Sequence, residues 1–315
     1  MTGYSAFGLI LSSNVRLPGL PRITGESADC VLALRRGPLG DRAIGRGHTL
    51  RQPNGTVSLT IDRGRSGYLV KFPGLAVYLI SPDGRHVSCS PRGNARPQTV
   101  AHLFLTHVLP MALSVRGRLV LHASAVATAH GAIAFLGAAG QGKSTLGASF
   151  VRRAFPLIAD DGLLIDDDGR SLVVVPSYPE IRLWPDVLSV LDHRRMRLDD
   201  VEHRAGKKRL RVDGQSWPFS REPVPVRRIY VIDRTEPSVG AGPISIIPAR
   251  PRDAFIELVK HTYRLDLDDR ARLRQEFASI GRIAARAGLV YRLSFPRDLS
   301  RLPEVQEAIL EHCGT

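Results

Sequence analysis

The segment Gly137-Ala-Ala-Gly140-Gln-Gly142-Lys143-Ser144 constrains this chain more than any other, because it has the spacing GxxxxGK[ST] and lies between a predicted strand and a predicted helix. Glycine lets backbone N–H groups turn inward and approach an anion with no Cβ in the way. The helix N-terminus behind them adds donors and a favourable dipole. The pattern predicts a nucleoside triphosphate site made of Gly137, Ala138, Ala139, Gly140, Gln141, Gly142, Lys143, Ser144 and Thr145. Lys143 is expected to neutralise the β and γ phosphates and Ser144 to bind Mg²⁺.

The surrounding pattern gives the fold class. Two apolar strands, 120–127 and 132–136, flank a short polar turn through His130 and Gly131, the length of a tight hairpin. The strand feeding the loop is therefore expected to pair antiparallel with its predecessor, whereas parallel neighbours would need a crossover between them. This predicts an α/β fold with a mixed sheet. A helix at 145–154, a strand at 157–165, a turn at 167–170 and a returning strand should follow. Residues 199–220 are polar and basic and read as a mobile loop. Strands at 228–233, 244–248 and 290–295, with helices at 251–263, 266–287 and from 303, complete the reading. Residues 1–97 read as mainly β, with strands at 6–13, 30–35, 57–62, 68–72 and 76–81. A helix at 99–115, disturbed by Pro110, joins this region to a second domain at 98–315.

Asp160 and Asp161 stand side by side at the start of an apolar strand, where their mutual repulsion needs a metal, a cation or a catalytic duty to offset it. A hydroxyl acceptor loses its proton in phosphoryl transfer, so Asp161 is read as the base and Asp160 as a metal ligand or a partner of its water shell. The alternative is that both cap a turn before Gly162. Asp166, Asp167 and Asp168 precede Gly169 and read as turn residues. His122, alone on an apolar strand, is either a satisfied core residue or a group near the reaction.

The formal charge of +14 admits nucleic acid, an anionic surface or an acidic substrate as partner. Arginine supplies nearly all of it and is spread along the chain, which disfavours nucleic acid and membrane. The densest run, Lys207-Lys208-Arg209-Leu210-Arg211, reads as a solvated loop or strand edge, or as a segment that closes over the transferring phosphate or grips an acidic peptide. Cys30, Cys89 and Cys313 are far apart and suggest neither a disulfide framework nor a metal site. With no predicted signal segment and no stretch judged long enough to span a membrane, a cytoplasmic protein is expected.

In order and spacing, His122, the loop at Gly137 to Ser144 and Ala159-Asp160-Asp161 resemble the C-terminal catalytic half of HPr kinase/phosphorylase. That resemblance implies the P-loop fold shared with phosphoenolpyruvate carboxykinases, a His122 near the transferred phosphate, and Asp161 as the base for a serine hydroxyl. Ala139 and Thr145 differ from the serine and glutamate of the bifunctional enzymes. The chain looks closer to the HPr-kinase-like proteins of lasso-peptide biosynthesis, through Tyr4-Ser-Ala-Phe7-Gly8-Leu9, Gly142 to Leu146, Arg182-Leu-Trp-Pro185 and Val226 to Val231. Glu180 and Arg182 resemble the Glu-x-Arg pair of the larger family or are a solvated strand end, and Lys208 and Arg209 are candidate phosphate or substrate contacts. The resemblance implies ATP, Mg²⁺ and a peptide or small-protein acceptor with a seryl hydroxyl. Three alternatives stay open: an HPr serine kinase/phosphorylase, a non-catalytic nucleotide sensor or assembly factor, and a nucleic-acid-binding ATPase. A homo-oligomer is compatible with the sequence.

Overall fold

The computed structural model describes residues 1–40, 47–51, 54–167, 170–191, 198–200, 206–212, 217–233 and 242–314. It divides into two units, Met1–Arg118 with Tyr263–Asp269, and Leu119–Thr262 with Arg270–Thr315. The division after Arg118 differs from the expected one at 97/98, and it gives the joining helix to the first unit.

In the first unit a nine-stranded sheet forms with the spatial order Arg22–Ile23, Thr2–Ala6, Leu9–Ser13, Cys30–Leu34, His86–Pro91, Ala76–Ile80, Gly67–Phe72, Val57–Gly64, His48–Arg51. The single strand expected at 6–13 is instead a hairpin that turns on Phe7 and Gly8, both at positive φ. Two left-handed residues in a two-residue loop match the twist of the strands they join.

The helix is continuous from Pro97 to Val115, with a π turn at Phe104–Val108 just before Pro110. Proline has no N–H to return to the carbonyl four residues back. That carbonyl, on Thr106, accepts instead from the Tyr263 hydroxyl at 3.0 Å. This is one reason 263–269 belongs to the first unit. Another is Asp266, whose carboxylate accepts from the Tyr68 hydroxyl and from the Asp268 and Asp269 amides, and pairs with Arg63. Burial raises the Asp266 pKa, but these donors together hold it below the ordinary value. The expectation that no stretch reaches membrane-spanning length is corrected here: Pro97–Val115 is long and apolar enough, and 89% of its apolar window is buried inside the protein.

The second unit is built on a mixed sheet with the order Leu119–Leu121, Leu163–Asp167, Leu172–Val175, Val224–Ile232, Gly131–Leu136, Ala123–Thr128, Leu157–Ala159. The expected hairpin is present, Ala123–Thr128 antiparallel to Gly131–Leu136. The latter strand also pairs parallel with Val224–Ile232, so the sheet is mixed at the loop strand itself. Gly131–Leu136 is buried throughout, because Ile133 and Phe135 face one core and Ala132, Ala134 and Leu136 the other. Helices Lys143–Arg152 and Leu302–Cys313 supply the first core, and Pro251–Lys260 and Arg270–Ala285 the second. A strand covered on both faces reads as a continuous apolar run.

Two expected strands are interrupted. The run at 120–127 breaks at His122, where Leu119–Leu121 pairs with Leu163–Asp167 while Ala123–Thr128 joins the loop strand. The run at 157–165 breaks at Asp160 to Gly162. The mobile loop expected at 199–220 is largely corrected as well: Lys208–Arg211 is the middle strand of a small sheet between Glu180–Leu183 and Leu198–Asp200. Leu210, Val212 and Trp217 anchor it in the core. Residues 201–205 and 213–216 of that span, and Asp168 and Gly169 of the expected turn, lie outside the described residues.

Candidate functional site

The loop strand ends at Leu136 and the helix begins at Lys143, capped by Gly142 at φ 100°, a left-handed value open to glycine. Between them the loop is tied to itself. The Ala138 amide donates to Gln141 Oε1 at 2.5 Å, and Arg297 donates to the Gly140 carbonyl at 3.0 Å. Lys143 is buried and donates to the carbonyls of Gly137 and Ala138 at 2.7 and 3.2 Å. Burial, partly offset by Asp160 and reinforced by Lys207, lowers its pKa from 10.5 to about 8.

The aspartate pair occupies the strand break. The Gly162 amide bonds back to the Asp160 carbonyl at 2.9 Å across Asp161, whose φ of 64° is left-handed. Such a conformation costs on the order of 1 kcal/mol in a non-glycine residue and persists where surrounding contacts hold it. Those contacts are Arg182, paired with the Asp161 carboxylate, and His122, whose Nδ1 lies 3.1 Å from the Asp161 carbonyl and 3.9 Å from its Oδ1. Because a carbonyl only accepts, Nδ1 carries the proton, which leaves Nε2 of a neutral ring as an acceptor. The His122 amide is fixed by the His261 carbonyl at 2.6 Å. With a third of its side chain exposed, His122 is not a core histidine. Asp160 is 2% exposed; its Oδ2 accepts from the Arg182 amide at 3.3 Å, and its Oδ1 is buried without a hydrogen-bond partner.

These elements enclose a cleft of about 650 Å³. Ala139 to Thr145 form one wall, His122, Asp161 and Arg182 line it too, and Leu183, Val187, Phe295, Leu299 and Leu302 make it partly apolar. Gly137 and Ala138 are not in the lining and act through Lys143, while Asp160 lies beneath the surface. Three further sequence candidates are not brought into the cleft. Glu180 and Arg209 are buried and face each other at 3.8 Å, and Lys208 is absent from the lining. Neither is Glu180–Arg182 a solvated strand end, since the strand Glu180–Leu183 is buried at every residue.

Trp184, Phe295 and Arg297, which the sequence reading did not give as site candidates, line the cleft, and so does Lys207 of the basic run. The basic run had marked the neighbourhood of Lys207, but only the pairing of Leu183 with Lys208 decides which of its side chains reaches the cleft. A second cavity, of about 580 Å³, shares Ala138 and Gln141 with the loop and includes Asp233, Asp253, Glu257, His261 and Arg292. Among the described residues no group of three or more His, Cys, Asp or Glu could hold a metal ion by itself.

Together the fold and cleft define a mixed α/β protein with a glycine-rich loop at a helix N-terminus and, lining the same cleft, a carboxylate on a strained turn. Chemically, that combination offers a helix N-terminus and a buried ammonium for an anion, and a carboxylate as acceptor for a proton. No family model matches the chain, and no curated protein matches it. Among solved structures, the Hpr(Ser) kinase/phosphatase from Coxiella burnetii is similar at 12% identity, over 61% of this chain and 97% of that one, with a TM-score of 0.29. A likeness of that depth decides neither reaction nor substrate.

Proposed function

We propose that this protein transfers the γ-phosphoryl group of ATP to a seryl hydroxyl of a peptide or small protein, with a lasso-peptide precursor as the acceptor. The reading is carried by one observation: Asp161, a carboxylate on a strained turn, lines the same cleft as Lys143 and Ser144. A protein that only sensed nucleotide would have no use for a base there.

Lys143 and the loop amides hold the phosphates, with the helix N-terminus behind them. The buried, unpartnered Oδ1 of Asp160 fits a role toward a cation, because an orphaned carboxylate oxygen is otherwise costly. Ser144 and Asp160 would hold Mg²⁺, which supplies charge neutralisation at the phosphate oxygens. Asp161 accepts the seryl proton as the hydroxyl oxygen bonds to the γ phosphorus. The bond from that phosphorus to the β,γ-bridging oxygen breaks, and ADP leaves with the negative charge. Arg182, beside Asp161, is in reach to stabilise charge on the transferring group, and His122 keeps the Asp161 backbone in its left-handed turn.

The choice of acceptor is supported by the sequence likeness at Tyr4 to Leu9, Gly142 to Leu146 and Arg182 to Pro185. Mass spectrometry of precursor peptides and of HPr, each incubated with the protein, ATP and Mg²⁺, tests it. Phosphate is expected on a serine of the precursor. Phosphate on HPr alone would make this an HPr kinase, and bound ATP with no transfer to either would favour a sensor.

A further inference from the structure

Lys207 is the one residue of the basic run that lines the cleft. It immediately precedes the strand Lys208–Arg211, whose register pairs Lys208 with Leu183 and Arg209 with Arg182. The strand pair that brings Arg182 to Asp161 thus also carries Lys207 into the cleft. There its ammonium stands 5.4 Å from the centre of the Trp184 ring. Trp184 is 46% exposed and itself lines the cleft. Gly206 has φ 95°, and a Cβ on it would come within 3.3 Å of a Trp184 ring carbon. The chain therefore passes close over the indole at a glycine, and the ring face holds the next residue's charge by cation–π attraction.

We propose that Lys207 is a second phosphate-binding cation, set by Trp184 over the terminal phosphate, so that the cleft selects nucleoside triphosphates over diphosphates. The inference rests on the nucleotide reading above and adds a residue and a selectivity to it. Lys143 contacts whichever phosphates the loop holds, while Lys207 supplies the charge that only a third phosphate meets.

The test is calorimetric titration of a non-hydrolysable ATP analogue and of ADP, each with Mg²⁺, into the wild type, Lys207→Met and Lys207→Arg. Losing one charge-assisted contact should weaken analogue binding by Lys207→Met roughly tenfold or more and leave ADP within about twofold. Lys207→Arg keeps the charge and should restore analogue binding to within about threefold of wild type. Equal losses for analogue and ADP, or no loss for either, would overturn the proposal. Failure of the wild type to bind any nucleotide would overturn the nucleotide reading as well. Selective binding without phosphoryl transfer to any acceptor would leave the proposal standing and refute the kinase.

Discussion

A buried lysine that shares its surroundings with another lysine cannot keep its proton as firmly as one in water. Lys143 illustrates the consequence for pH. Its folded pKa of about 8 lies below the ordinary 10.5, so the charged form is the one the fold disfavours. Phosphate binding needs that charge. Nucleotide affinity should therefore be steady at neutral pH and decline as pH rises through about 8, which titrations across pH 6.5 to about 9.5 would reveal. Affinity that stayed level throughout would mean that Lys143 does not contact phosphate. Asp161 shows a residue-scale feature of another kind. Its left-handed backbone is invisible in a sequence, although the neighbouring Gly162 marked a turn there.

At the scale of elements, the sequence carried the loop, its flanking strand and helix, and the hairpin, because each rests on local signals: glycine spacing, apolar runs and turn length. What it did not carry depends on partners far away in the chain. Apolarity continues through His122 and up to Asp160, so nothing local says that the chain changes partner strands there. Lys207 to Arg211 looked solvated because its charges dominate the composition, yet Leu210 is buried and Arg209 is buried opposite Glu180 of another strand, 3.8 Å away. Pro110 was legible as a disturbance, but its remedy was not. The Tyr263 hydroxyl that serves the Thr106 carbonyl comes from 157 residues away. Tyr263→Phe should cost about 1 kcal/mol in a denaturant titration, the usual size for one lost hydrogen bond. In a Pro110→Ala background, where an amide is restored next to that carbonyl, the cost should shrink. An undiminished cost would separate Tyr263 from the proline.

At the scale of the whole molecule, the net charge of +14 sets long-range attraction to anionic ligands without choosing among them. The cleft narrows that choice, since its cations stand around a loop of phosphate-binding pattern and beside a carboxylate that a passive binder would not need. The loop, Asp160 and Asp161, Arg182 and Lys207 all belong to the second unit, so one unit holds the candidate chemistry. The proposed reaction turns on Asp161 taking the acceptor's proton. The direct measurement is phosphate transfer from ATP to a seryl peptide by the wild type and by Asp161→Asn, with nucleotide binding measured on both. Transfer should fall by a factor of about 100 or more in the variant while nucleotide affinity stays within a few-fold, as expected when only a general base is lost. Transfer at the wild-type rate by Asp161→Asn would contradict the account.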